Sequence, residues 1–140
     1  MPIFLHNEDR SHFLDDVTIT IHWLQMVAQQ ENHTIGDLNF IFCSDDYLLE
    51  INKNYLNHDY YTDVITFDHS ERDNEIAGDI FISIDRIKDY SDDNGINEII
   101  ELHRIMVHGL LHLLGYLDKS EKDKIRMTRT EDDYLLLFNK

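Results

Sequence analysis

The sequence predicts an α+β fold, an α/β mixture in which a mixed sheet of about four strands packs with helices. Two observations predict it. Apolar residues recur at helical spacing in several long segments, and short β-rich runs lie between those segments. Helical and strand segments therefore alternate along one chain, and 140 residues fit a single domain over residues 1–140.

The N-terminal half is predicted to hold two strands and two helices. The stripe of Ile21, Leu24 and Ala28 indicates the first helix, and Ser44 offers an N-cap for the second. In chain order we expect a short edge strand over 3–6, a helix over 17–30, a break at 32–36, a strand over 38–43 and a helix from 47 to about 56.

The C-terminal half is predicted to hold a hairpin followed by helices. Asn97 caps the longest helix and Gly115 ends it. We expect a loop over 57–63, paired strands over 64–67 and 80–84 with an acidic loop between them, a helical turn over 85–90, a loop over 91–95, and helices over 98–114 and 120–138.

Charge and cysteine content exclude several classes of protein. Lys and Arg number 12 against 28 Asp and Glu, so the formal net charge is −16, which argues against a generic nucleic-acid coat or an anionic-membrane binder. The single cysteine, Cys43, excludes an internal disulfide framework and a CxxC zinc site. The most apolar stretch, 99–117, carries too many polar groups for a bilayer span, and no signal peptide precedes it, which predicts a cytoplasmic protein.

A metal site is predicted around His108 and His112. Histidines at i and i+4 lie on one helix face, so both imidazoles can reach one ion. Gly115 can end the helix in a left-handed turn and return the carboxylate of Asp118 to the same ion. Two histidines and one carboxylate form a three-ligand zinc set that keeps one position open for water. The competing interpretation is a buried pair of histidines that no metal binds.

The residue after the first histidine argues against a zincin-type peptidase. Such enzymes carry a glutamate there as general base, whereas this chain has Gly109. The metal geometry survives this difference, but the peptidase interpretation is weakened.

Three motifs, in the same order and spacing, resemble those of the YbeY-type endoribonucleases, a family of bacterial rRNA maturation factors. The segment H-G-L-L-H-L-L-G-Y at 108–116 is similar to the family signature H-G-x-L-H-L-x-G-Y-D-H. The segment D-Y-Y-T-D-V-I-T-F at 59–67 resembles D-x-P-T-D-V-L-S-F, and G-D-I-F-I-S at 78–83 resembles G-D-I-x-I-S. The likeness covers residues 40–120 well and the two ends loosely.

This resemblance implies a zinc-dependent, single-strand-specific endoribonuclease of rRNA maturation and ribosome assembly. One Zn²⁺, or another divalent transition metal, would be held by His108, His112 and Asp118, and a metal-bound hydroxide would attack the phosphodiester. The partners implied are rRNA or ribosomal particles and ribosome-associated proteins, with no membrane. Two positions depart from the family: Asp118 replaces its third histidine, and Leu56 replaces an arginine of the loop.

Further candidates are weaker. Asp63 and Arg104 are candidate catalytic residues, although Asp63 fits a turn and Arg104 fits the capping of a buried acid such as Glu101. His58 and a basic stripe are candidate substrate contacts, against the alternative of a solvated helix face. The stripe comprises Lys119, Lys122, Arg126 and Arg129.

Two other functions compete with the nuclease. A non-catalytic ribosome-assembly module with a structural metal is favoured by the acidity of the chain and by Leu56. A metallohydrolase of another substrate is the third interpretation.

Overall fold

The structure, a computed structural model, describes residues 3–138, which form four strands and five helices. Met1, Pro2, Asn139 and Lys140 lie outside the described residues, as do the ends of the predicted domain. The elements are β1 (Ile3–Asn7), α1 (Val17–Gln30), β2 (Thr34–Cys43), α2 (Asp45–Leu56), β3 (Val64–Asp68), β4 (Glu75–Ser83), α3 (Ile84–Asn94), α4 (Glu98–Leu113) and α5 (Glu121–Phe138).

The sheet is mixed, which confirms the predicted fold class. Its strand order is β1-β2-β4-β3, in which β1, β2 and β4 run parallel and β3 pairs antiparallel with β4. The predicted edge strand and the predicted hairpin are both present. Consequently the loop before β3 and the loop after α4 can meet on one side of the sheet.

The two central strands begin earlier than predicted. Thr34 pairs with Glu75 and Ile35 with Ile76, and the register shifts before Leu38 meets Gly78. Apart from buried Ile76, these first paired residues are polar or half-exposed, so hydrophobicity alone does not reveal the extension. Backbone hydrogen bonds between neighbouring strands extend the sheet there regardless of side-chain type.

The helical turn predicted over 85–90 was too short and the loop predicted over 91–95 was wrong, because one helix, α3, covers this segment as far as Asn94. Ser83 caps it by accepting a hydrogen bond from the backbone N–H of Arg86 at 3.1 Å. Ile84, Ile87 and Ser91 form its buried stripe, and Gly95 ends it in a left-handed conformation. The many acidic residues that suggested a loop lie on its exposed face.

The core has two parts, one on each face of the sheet. The larger contains Trp23, Phe40 and Phe42, and the smaller, under α2, surrounds Cys43 and Leu48. Phe67 and Phe81 are half-buried against the smaller part. The indole N–H of Trp23 donates to the Tyr134 carbonyl at 2.8 Å, which ties α5 to α1.

Helix α4 lies against the sheet at Gly109. A Cβ at this position would stand 2.7 Å from Cγ2 of Ile80 on β4, so only glycine permits this approach of helix and strand. Leu102, Met106 and Leu110 are completely buried beside it, and each such side chain contributes about 1.5–3 kcal/mol of hydrophobic free energy. Among residues 3–138, no helix is both long and apolar enough to cross a bilayer.

Candidate metal centre

His108 and His112 occupy one face of α4, as their spacing predicts. Their Nε2 atoms lie 3.0 Å apart, and the two rings meet edge to face with centroids 4.6 Å apart. The side chains are 19% and 25% exposed, so both edges reach solvent although the helix is otherwise buried.

The chain reverses directly after α4 and brings Asp118 back. Gly115 adopts φ 103°, and its N–H donates to the His112 carbonyl while the Tyr116 N–H donates to the Leu111 carbonyl. Asp118 Oδ2 thereby lies 3.5 Å from Nε2 of His108 and 3.3 Å from Nε2 of His112. The structure thus brings together the three residues that the sequence predicts as ligands.

Each histidine is oriented by a partner at its other ring nitrogen. Nδ1 of His108 donates to Oε2 of Glu131 at 2.5 Å, and Nδ1 of His112 donates to the Tyr116 carbonyl at 3.1 Å. With the proton on Nδ1, the lone pair of Nε2 is available to a metal, and this second contact is typical of metal-binding histidines.

Sequence reasoning missed Glu131. This residue comes from α5, far along the chain, and only 7% of its side chain is exposed. The available signal was its position on the apolar stripe of α5, where Met127, Glu131 and Tyr134 are the buried residues. A glutamate in such a stripe needs a buried cationic or hydrogen-bonding partner.

The spacing of the three donor atoms fits a tetrahedral ion. Ligands about 2.0–2.1 Å from a central zinc stand about 3.3 Å from one another, because the edge of a tetrahedron exceeds its centre-to-corner distance by a fixed ratio. The measured separations are 3.0, 3.3 and 3.5 Å. A cation also relieves the repulsion between three electron-rich atoms that face one another.

Glu131 dominates the electrostatics of His108. Burial alone lowers the pKa of this imidazole, but the hydrogen bond and the negative charge of Glu131 raise it above its ordinary value. Asp63 and Asp118 add to the rise from a greater distance. Three carboxylates, one of them paired with Arg104, thus lie near this imidazole, and their negative charge favours a cation.

An open cavity of about 320 Å³ lies over these residues. Asp63 and the hydroxyl-bearing Thr62 and Thr66 line it from the start of β3, opposite the histidines. Its lining is Asn52, Leu56, His58, Tyr60, Thr62, Asp63, Val64, Ile65, Thr66, His108, His112 and Asp118.

The loop between α2 and β3 is held in place by its own backbone. Asn57 ends α2 in a left-handed conformation, and the His58 N–H donates to the Asn52 carbonyl at 3.1 Å. The amide of buried Asn52 donates to the Tyr60 carbonyl at 2.9 Å, and the Tyr60 ring stacks on His58 with centroids 5.1 Å apart. These contacts place His58 and Tyr60 beside the metal residues.

Leu56 lines the same cavity at the position where the resembling family has arginine. Its side chain is 38% exposed. Among the described residues that line the cavity there is no lysine or arginine, so histidine is the one side chain type there that can carry positive charge.

Arg104 does not reach this cavity. Its guanidinium donates to Glu131 at 2.9 Å and to Asp132 at 2.6 Å, and it forms ion pairs with both carboxylates. The acids that it caps are these two and not Glu101, whose carboxyl receives no hydrogen bond from the described residues. Arg104 is therefore paired with Glu131 and Asp132 and does not line the metal cavity.

The predicted basic stripe is only partly a helix face. Lys119 precedes α5, which begins at Glu121, while Lys122, Arg126 and Arg129 lie on the helix and are exposed. Arg126 stands 4.8 Å from the ring centroid of Tyr116. None of the four lines the metal cavity in the described part of the chain.

Most of this chain matches one family of known proteins. A family model described as endoribonuclease YbeY matches residues 5–139. A protein named endoribonuclease YbeY from Cytophaga hutchinsonii is 50% identical over 135 residues, which cover 96% of this chain and 94% of the relative. One of the same name from Flavobacterium psychrophilum is 51% identical over 122 residues, covering 87% and 86%.

A solved structure shares the fold. The solution structure of a Thermotoga maritima protein superposes with a TM-score of 0.67 at 23% sequence identity, covering 95% of this chain and 86% of that one. At this identity the likeness concerns the architecture of the sheet and helices.

Proposed function

Since this chain belongs to the YbeY family of endoribonucleases, we propose that it hydrolyses single-stranded RNA with one divalent ion, zinc in the first place, held by His108, His112 and Asp118. The observation that carries the proposal is the convergence of two Nε2 atoms and one carboxylate oxygen at the floor of an open cavity. Such an ion, when bound, lowers the pKa of a water ligand and polarises a phosphoryl oxygen.

The chain's own groups handle the proton and the phosphate. Asp63 lines the cavity opposite the histidines, so its carboxylate accepts the proton that the attacking water loses. His58 donates a hydrogen bond to a non-bridging phosphate oxygen and takes the place of the arginine that Leu56 replaces. Arg104, held by two carboxylates, acts only through Glu131.

The shape of the cavity favours a single strand. Its opening is bordered by the stacked rings of His58 and Tyr60, and unpaired bases stack on such rings whereas paired bases cannot. The net charge of −16 repels RNA at long range. The affinity for RNA must therefore come from short-range contacts in the cavity. Basic side chains that follow Asp118 in the chain add to it: Lys119, Lys122, Arg126 and Arg129.

We place this activity in the maturation of rRNA in the cytoplasm, with ribosomal particles and their associated proteins as partners and residues 1–140 acting as one endoribonuclease domain. Family membership supports this placement.

A second candidate function is a ribosome-assembly module whose metal is structural. The observation that favours it is Leu56, which leaves the cavity lining without a lysine or arginine among the described residues. A peptidase is disfavoured, since a side chain at Gly109 would meet Ile80.

The test combines metal analysis with RNA cleavage. Protein purified without chelators is expected to contain one zinc per chain and to cut an unstructured oligoribonucleotide, while His112→Ala loses both properties. His22→Ala, which removes an exposed histidine of α1, is the matched control and retains both.

Three outcomes separate the functions. Equal zinc in His112→Ala and wild type contradicts the metal site. Zinc that His112→Ala loses, with no cleavage of RNA by the wild type across several divalent metals, favours the structural module. Cleavage that survives metal removal contradicts the proposed chemistry.

A further inference from the structure

A second cavity, of about 370 Å³, adjoins the metal cavity. Thr62 and Asp63, just before β3, line both cavities, so the two are direct neighbours. Its other lining residues are Tyr61, Arg86, Ile87, Tyr90, Glu101 and Ile105. This volume lies within the range of sites that hold small organic groups.

Glu101 is the unusual residue of this second cavity. It lies on α4, two turns before His108, and is only 6% exposed. Among residues 3–138 no group donates a hydrogen bond to its carboxyl. A buried carboxyl is costly without a donor, so a ligand that brings donors would be stabilised here.

Two exposed aromatic rings line the second cavity. The side chains of Tyr61 and Tyr90 are 50% and 48% exposed. The Tyr61 hydroxyl donates to Asp46 at 3.2 Å, and the guanidinium of Arg86 stands 5.5 Å from the Tyr61 ring centroid. Arg86 is itself held by an ion pair with Asp45 at 3.2 Å. Exposed rings in a groove provide faces on which nucleic-acid bases stack.

We propose that the second cavity binds one base of the RNA, next to the phosphate that lies over His108 and His112, and that Glu101 makes it prefer guanine. A carboxylate has two acceptor oxygens. Guanine presents two neighbouring donors, N1–H and the N2 amino group, on its Watson–Crick edge, whereas the other RNA bases present a single donor group there. The inference rests on the proposed function, because it deepens the substrate choice of that same groove.

The direct test measures binding without catalysis. The four nucleoside 5′-monophosphates are titrated into chelator-treated protein at about pH 8, where the Glu101 carboxyl is ionised, since burial raises its pKa only to about 7. We expect guanosine monophosphate to bind at least about fivefold more tightly than the others, in the range of a good two-bond base contact. Its NMR perturbations should include the amides of Tyr90 and Ile105.

Variants assign the preference to one carboxyl. Glu101→Gln is expected to bind all four nucleotides within about twofold of one another, since the amide offers one acceptor instead of two. Glu98→Gln removes the same charge from the same helix outside the cavity and keeps the preference. Tyr61→Leu weakens all four nucleotides equally, because a ring stacks on any base.

The outcomes bear on this inference separately from the proposed function. Equal affinities in the wild type, or a guanine preference that persists in Glu101→Gln, overturns the inference even if RNA is cleaved. Should the metal-loaded chain fail to cut RNA, the binding measurements still decide whether the cavity selects a base. Perturbations confined to residues outside the cavity also contradict the assignment.

Discussion

Two polar regions of helix α4, one at His108 and His112 and the other at Glu101, differ in the hydrogen bonds that their side chains make. At the C-terminal end, His108 and His112 are oriented by Glu131 and by the Tyr116 carbonyl. Two turns before His108, Glu101 is more deeply buried, and its carboxyl receives no hydrogen bond from residues 3–138.

This difference teaches which end is organised in advance. Ligand atoms that are already held in place suit a metal ion. Coordination requires three atoms at set distances, and binding is tighter when the site does not have to rearrange. The Glu101 carboxyl has no donor among residues 3–138, but it borders the second cavity, so water or a ligand there can donate to it. Helix α4 thus carries two sites. The protein itself orients the histidines of the first, whereas in the second a substrate supplies the hydrogen-bond donors to Glu101.

Removing a metal ligand should have the largest effect on the affinity of the site at His108 and His112 for zinc. Asp118→Ala is expected to lower zinc affinity by more than about 100-fold, because loss of a partner behind a ligand already costs about 10- to 100-fold. Competition with a chromogenic chelator measures the affinity. Asp133→Ala, an exposed carboxylate of α5, is the control, and equal affinities in the two variants would show that Asp118 is not a ligand.

Weakening the hydrogen bond that orients His108, while keeping the histidine itself, should lower zinc affinity by a smaller factor. Glu131→Gln leaves the ligands intact but weakens the contact to Nδ1 of His108, so zinc affinity should fall about 10- to 100-fold. Asp132→Asn, which also alters a partner of Arg104 but does not touch His108, should change affinity much less. If both variants bind zinc as the wild type does, the orientation of His108 does not depend on Glu131.

The Glu101 carboxyl should make the free energy of unfolding depend on pH. Burial raises the pKa of Glu101 to about 7, against an ordinary value of 4.5; Arg104 and His108 oppose the rise, while Asp63 and Glu131 add to it. Between these values the folded chain holds a proton that the unfolded chain has released. The free energy of unfolding therefore falls as pH rises through this window, by roughly 1–3 kcal/mol.

Glu101→Gln should flatten that slope. Urea unfolding of chelator-treated protein at several pH values measures it, with Glu98→Gln as the control that keeps the wild-type slope. A slope in Glu101→Gln equal to that of the wild type would contradict the assignment to this carboxyl.

The smallest effect is expected from the basic residues of α5. Neutralising Lys122 and Arg129 together should lower the dependence of RNA affinity on salt by at most about 0.7 for each RNA phosphate that these side chains neutralise. Fluorescence anisotropy across a salt series measures this slope. Failure of the variant to cleave RNA at saturating concentration would instead place these exposed residues inside the catalytic groove.

Local sequence was enough to predict much of this molecule. The stripe of α1 and the caps at Ser44 and Asn97 depend on near neighbours, so they were readable directly. The same holds for the pairing of His108 with His112, since helical spacing alone sets it. The extension of β2 and β4 over 34–37 and 75–79 was not readable, because pairing with another strand creates it.

Sequence by itself determined the two adjacent imidazoles, the turn at Gly115 and the return of Asp118, because all three lie within eleven residues of one chain segment. Only the tertiary structure decided that Glu131 supports His108, that Arg104 is occupied, and that Glu101 faces a second cavity beside Asp63. Those relations join helices and strands distant in the chain. They depend on how α5 and β3 pack against α4, and no local periodicity encodes that packing.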